Sequence, residues 1–188
     1  MIQKTFVMIK PDGVKRGIVG EIISTFEKAG LKIAALKMIT PTKDIISQHY
    51  PENDTWFNIV GEKTFKGYEE VGLNVKNELG TDNKIEIGKM VKSWLIEFIT
   101  SGNVVVMILE GNEAVSNVRR LCGNTLPIFA DPGSIRGRYS LDSPDIANAE
   151  KRPVYNLIHA SGTVEEAIFE IKLWFSEIIQ HKVVSELN

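Results

Sequence analysis

The chain has 188 residues, 43% hydrophobic and 24% charged, which supports one well-buried core and excludes a low-complexity polypeptide. A formal charge of -2 and a pI near 6.0 give no general attraction to nucleic acid or to an anionic membrane, so nucleic acid is not an expected partner and any phosphate recognition must be built locally. The single cysteine, Cys122, allows no intramolecular disulfide, no secretory leader is legible, and apolar runs such as residues 104 to 109 fall far below the roughly 20 residues of a membrane helix, so a cytoplasmic protein without a membrane span is expected.

Residues 5 to 10 (TFVMIK) read as a buried strand, stopped by the loop signal Pro11-Asp12-Gly13. Ile18, Ile22, Ile23 and Phe26 then recur at helical spacing, with Gly30 at the expected C-terminus. A second strand over 31 to 39 leads to a short capped helix over 42 to 50. The stretch from 51 to 92 carries five glycines and supports short helices near 55 to 68 and 86 to 98. Residues 104 to 109 (VVVMIL) give the strongest strand signal, followed by a helix over 113 to 122 that ends at Gly123. Residues 123 to 153 hold four of the seven prolines and no clear period, as a long functional or disordered loop does. A last strand is expected over 154 to 158 and a last helix over 163 to 175, where Thr163 and Glu166 have capping-box spacing.

This order predicts an α+β fold: a ferredoxin-like split βαβ sandwich whose four-stranded antiparallel sheet is covered on one side by helices, with a helical insertion. The whole chain, 1 to 188, reads as one domain with insertions at about 51 to 90 and 139 to 153.

Of the histidines at 49, 159 and 181, His159 follows an apolar strand and precedes the small-residue turn Ala160-Ser161-Gly162, a common catalytic position. A nucleophilic histidine needs one free ring nitrogen and an acceptor that orients the other; Glu170, two turns into the last helix, is such an acceptor or else a solvent-facing residue. Asn156 lies three residues earlier on the strand that delivers His159. Phosphoryl transfer asks for positive charge and hydrogen-bond donors, and Arg119, Thr125 and Arg136 are of that type within an arginine-rich stretch that otherwise reads as a solvated surface. There is no GxxxxGK[ST] loop, no Cys/His cluster and no acidic calcium loop, so no protein-built metal site is expected.

KPDGVKRGIVGEII at 10 to 23, HY at 49 and 50, TSGNVVVM at 100 to 107, RRLCGNT at 119 to 125, PGSIRG at 132 to 137 and NLIHASGTVEEA at 156 to 167 together closely resemble the nucleoside diphosphate kinases. The resemblance implies a ping-pong enzyme in which His159 carries the phosphoryl group of a nucleoside triphosphate to a nucleoside diphosphate, supported by Glu170 and Ser161. It further implies that Lys10 holds the sugar hydroxyl and the moving phosphate, and that Tyr50 sets its hydroxyl beside the phosphoryl path. Arg119, Thr125 and Arg136 would bind the β and γ phosphates, and Asn156 the ribose. Mg²⁺ would arrive on the nucleotide, and the protein would be a homo-oligomer, a hexamer or a tetramer built from dimers. Base selectivity should be low, with the base stacked on Met90, Val91 or Trp94. Gly162 and Arg138 depart from the family, which usually has aspartate at both positions. Two other readings are a nucleotide- or RNA-binding module that keeps this fold without efficient catalysis, and an assembly component whose insertions form a partner surface.

Overall fold

Strand β1 (Ile2–Ile9) lies at the centre of the fold because its second half, Phe6 to Ile9, is enclosed on both faces. In this computed structural model, which describes residues 2–70 and 72–177, β1 passes directly into α1 (Pro11–Lys15), where a loop was expected. Pro11 occupies the first helical turn, where its missing N–H leaves no bond unmade. Next come α2 (Val19–Lys28), β2 (Lys32–Ile39) and α3 (Lys43–His49), the last capped by Thr42. His181 lies outside the described residues.

The insertion is more regular than its glycines suggested. It forms α4 (Asp54–Glu70), α5 (Val75–Leu79) and α6 (Lys84–Ile99), so two of its helices are long. Gly61 and Gly88 are contact points between α4 and α6, not breaks. A Cβ on Gly61 would lie 1.8 Å from the Lys84 carbonyl oxygen, and one on Gly88 2.1 Å from that of Phe57. The hairpin closes because neither residue has a side chain.

Strand β3 (Val104–Asn112) and α7 (Ala114–Cys122) follow as expected. The proline-rich stretch then folds into a 3₁₀ turn (Pro127–Phe129), α8 (Ile135–Tyr139) and α9 (Pro144–Ala149), with Pro127 and Pro144 starting their helices. The chain ends its described part with β4 (Ile158–Ala160) and α10 (Val164–Trp174).

All pairings in the β2-β3-β1-β4 sheet are antiparallel, with β1 and β3 central, which is the split βαβ arrangement expected. Helices cover both faces, however, not one. Val7, Ile9, Val105 and Met107 pack against Ile22 and Phe26 of α2 and Val118 of α7. Phe6, Met8, Val104 and Val106 pack on the other face against Ile46, Ile99 and Trp174. The central strands therefore show unbroken apolar runs where a half-exposed sheet would alternate.

The last strand also differs from expectation. Leu157 has φ +69° and donates its N–H to the Asp12 carboxylate at 3.0 Å, so the chain is bent out of extended geometry there. The strand begins only at Ile158, and His159 is its middle residue.

Candidate active site

Pairing of His159 with Met8 across the β4–β1 ladder fixes the histidine backbone on the most enclosed strand of the protein. Its ring is then held from behind. Nε2 lies 2.7 Å from Oε1 of Glu170, and Oε2 of Glu170 accepts the Ser161 hydroxyl at 2.5 Å. Ser161 Oγ in turn accepts the Phe6 N–H at 3.3 Å. With Nε2–H donating to the carboxylate, the lone pair sits on Nδ1.

Electrostatics favour that neutral ring. Burial, then the charges of Lys10 and Arg136, lowers the His159 pKa to about 3, so the imidazole is unprotonated at neutral pH. Burial raises the Glu170 carboxyl, while His49 and the Ser161 hydrogen bond pull it back down.

His49, absent from the expected site, stands beside this pair with its ring 4.5 Å from that of His159. Its Nδ1 accepts the Trp174 indole N–H at 3.2 Å, and burial followed by His159 lowers its pKa to about 3. The 3.6 Å approach of Nδ1 to Glu170 is therefore a contact with a neutral ring, not an ion pair.

Lys10 caps the end of β1 and is almost wholly enclosed, with Nζ donating to Asn156 Oδ1 at 2.7 Å. Burial and the neighbouring Arg136 lower its pKa to about 8, against a smaller opposing pull from Asp12. Asn156 donates Nδ2 to the Thr125 carbonyl at 2.8 Å, so it joins Lys10 to the loop carrying Thr125. Arg136 donates to the carbonyls of Gly123, Ile158 and Asn156 at 2.7, 2.7 and 3.2 Å. No carboxylate lies within ion-pair distance of it among the described residues, and Asp12 acts on its charge only at longer range. Burial keeps the Tyr50 hydroxyl protonated by raising its pKa, with Glu170 adding to the effect.

These groups open on one cleft of about 410 Å³, lined by Lys10, Tyr50, Arg119, Thr125, Arg136, Asn156 and His159. Glu170 and Ser161 lie behind the histidine, outside the lining. The structure thus brings all nine expected site residues together. Of the three stacking candidates, Val91 and Trp94 line the cleft and Met90 does not. Arg138 is also outside it, with its guanidinium over the Tyr139 ring.

Sequence reasoning missed His49 and Trp174, whose roles depend on contact across 125 residues. It missed Asp12, read as a turn residue, whose carboxylate accepts the Leu157 N–H beside the site. The His-Tyr pair at 49 and 50 was the one available signal for His49.

A cleft that offers cations outside any ion pair and a neutral, oriented imidazole can accept a phosphoryl group. Comparison with known proteins agrees. The family pattern described as nucleoside diphosphate kinase matches residues 3–62 and 84–179. The chain belongs to the nucleoside diphosphate kinase family.

A nucleoside diphosphate kinase of Pyrobaculum aerophilum is 50% identical over 176 residues, covering 94% of this chain and 96% of that protein. A crystal structure of an NDP kinase from the same organism superposes with a TM-score of 0.91 at 48% identity, covering 93% of this chain and 96% of that one. A nucleoside-diphosphate kinase from Borrelia burgdorferi, solved as a transition-state mimic with bound vanadate and ADP, gives a TM-score of 0.71 at 34% identity, covering 92% and 86%. The family match omits residues 63–83, whose described part comprises the end of α4, α5 and the turn into α6.

Proposed function

We propose that this nucleoside diphosphate kinase transfers a γ-phosphoryl group from a nucleoside triphosphate to a nucleoside diphosphate through a covalent phosphate on Nδ1 of His159. The observation that carries this reading is the 2.7 Å contact between Nε2 and Glu170, which leaves Nδ1 as the free nucleophile in a cationic cleft. In the first half-reaction the Nδ1 lone pair attacks the γ phosphorus, the bond from phosphorus to the β–γ bridging oxygen breaks, and the diphosphate leaves with that electron pair. A second diphosphate reverses the step through its terminal oxygen.

Arg119, Thr125 and Arg136 supply the donors for the β and γ phosphates, and Lys10 and the protonated Tyr50 hydroxyl flank the moving group. Asn156 holds Lys10 in the free enzyme and has a second amide proton to offer the ribose. Glu170 stabilises the positive charge that develops on the ring during attack, and Ser161 orients Glu170.

Among the described residues the cleft lining offers one carboxylate, Glu166, and no carboxylate cluster that would suit a resident magnesium ion. Its nearest donor cluster, His49, His159 and Glu170, is mostly nitrogen and already hydrogen-bonded. The residues instead fit Mg²⁺ carried by the nucleotide phosphates, where it would neutralise their oxygens.

We further propose a cytoplasmic homo-oligomer, a hexamer or a tetramer built from dimers. Exposed Leu36 and Met38 on the edge strand β2 and exposed Ile128 and Phe129 in the 3₁₀ turn support the assembly, whose size light scattering measures. No helix among the described residues is long and apolar enough to cross a membrane. Burial raises the Cys122 thiol to about 11, so that thiol is a packing group.

The central test is incubation with ATP labelled on its γ phosphate. An acid-labile, base-stable label on the protein, absent in His159→Ala together with turnover, is the expected result. A His159→Ala protein that exchanges phosphate at the normal rate overturns the covalent reading.

A further inference from the structure

Residues 63–83, outside the family match, are not a loose addition to the fold. Their described part has a small core of its own, in which Tyr68 and Val75 are buried with Ile87 of α6, and Phe65, Leu73 and Leu79 pack around them. Tyr68 is wholly enclosed, so its hydroxyl needs a hydrogen-bond partner within the protein. It finds one in α9, donating to the Asn148 backbone carbonyl at 2.9 Å.

That carbonyl closes the last turn of α9. It also accepts the Lys151 N–H at 3.0 Å, with Lys151 at φ +52° and the Arg152 N–H returning to the Ala147 carbonyl at 3.0 Å, the pattern of a helix ended by a left-handed residue. From this turn the chain leaves as Arg152, Pro153 and Val154, which all line the cleft, while Thr64, one helical turn before Tyr68, lines it from α4. Gly67 lets the two elements approach, since a Cβ there would lie 3.2 Å from Asn148 Nδ2. The Tyr68 hydroxyl thus sits at the seam between two walls of the cleft. Together with Trp94 of α6, Val60, Pro153 and Val154 give this part of the cleft an apolar lining, which suits a nucleoside where Lys10, Arg119 and Arg136 suit phosphates.

We propose that Tyr68 is a positioning residue: by tying α4 to the end of α9 it sets the separation of the walls that receive the nucleoside of a bound nucleotide. The segment outside the family match thereby adds to nucleotide affinity through a side chain that does not itself line the cleft. A cleft held at its working width gives up less freedom on binding, so the gain lies in affinity and not in the chemical step. The tie acts on a wall and reads no base edge, so it favours no base over another. The inference rests on the nucleotide-binding reading of the cleft above.

The test uses the full-length protein and two variants that disturb the seam from different sides. Tyr68→Phe keeps the buried ring and removes the tie, and the Asn148 carbonyl retains the Lys151 N–H, so α9 keeps its end. Gly67→Leu favours the helix itself but wedges α4 away from α9. Each should raise the KM for ADP by about fivefold with kcat unchanged. The inhibition constant of inorganic pyrophosphate, which occupies only the phosphate end, should stay at the wild-type value. An unchanged KM in both variants overturns the inference, as does a fall in kcat alone, which marks a merely structural role, or an equal weakening of ADP and pyrophosphate. Failure of the wild-type protein to form a phosphohistidine overturns the carrier reading instead, and calorimetric ADP affinities of the same three proteins then test the tie by itself.

Discussion

His159 Nε2 lies 2.7 Å from Glu170 Oε1, and the same carboxylate takes the Ser161 hydroxyl on its other oxygen. Glu170 therefore favours the tautomer with a lone pair on Nδ1, and in the proposed mechanism it also meets the charge that the ring acquires when it attacks phosphorus. Glu170→Gln keeps the shape and removes that charge. Phosphoenzyme formation in a rapid-quench experiment should slow by about a hundredfold with little change in nucleotide affinity. An undiminished rate would show that the carboxylate has no part in activating the ring.

Two buried imidazoles make stability depend on pH. His159 and His49 are each lowered from 6.5 to about 3. Between those values the unfolded chain binds more protons than the folded one, so stability is complete above pH 6.5 and falls as the pH drops toward 3. The raised Glu170 carboxyl acts in the opposite sense above its ordinary 4.5 and offsets part of this. Urea midpoints should thus decline from pH 7 to pH 5, and less steeply in His49→Gln, which removes one of the two groups. A variant with the wild-type slope would place the acid sensitivity elsewhere.

Lys10 predicts the alkaline side. Burial and Arg136 bring it from 10.5 to about 8, so the free enzyme loses this ammonium as the pH passes 8. A bound phosphate favours the charged form and raises the pKa again. The KM for a nucleoside diphosphate should accordingly rise above about pH 8 before kcat falls. In Lys10→Gln the KM should be high throughout and its rise near pH 8 absent. Initial rates between about pH 6.5 and 9.5 measure both.

The sequence made the phosphate end of the proposed site legible because its residues sit in short local motifs: Lys10 before Pro-Asp-Gly, Arg119 to Thr125 in one run, and Asn156 three residues before His159. It also made the sheet legible, since β1 and β3 are continuous apolar runs. What it hid depends on contacts far apart in the chain. Helices over 55 to 68 and 86 to 98 were expected, but nothing local reveals that Gly61 and Gly88 within them each face the other helix's backbone. Leu157 read as strand because its left-handed backbone is held by Asp12, 145 residues away. Helices on the second face of the sheet were missed for the same reason: an unbroken apolar strand reports that both faces are buried without naming what buries them.

Gly162, one of the two departures from the family, is coupled to Glu166. The Glu166 carboxylate accepts the Gly162 N–H at 2.6 Å, one residue earlier than a standard capping box, while Thr163 caps the Glu166 N–H at 3.2 Å. A Cβ at position 162 would lie 2.7 Å from Glu166 Oε2 and push the carboxylate off its donor. The φ of Gly162 is not in the left-handed region, so alanine is otherwise tolerated there and stiffens the unfolded chain. Gly162→Ala should therefore destabilise the native protein by about 1 kcal/mol through the lost hydrogen bond. In a Glu166→Ala background that bond and the clash are both gone, and the same substitution should stabilise by about 0.5 kcal/mol. Urea denaturation of the four proteins in this double-mutant cycle measures the change of sign, and simple additivity would show that the two residues do not act through each other.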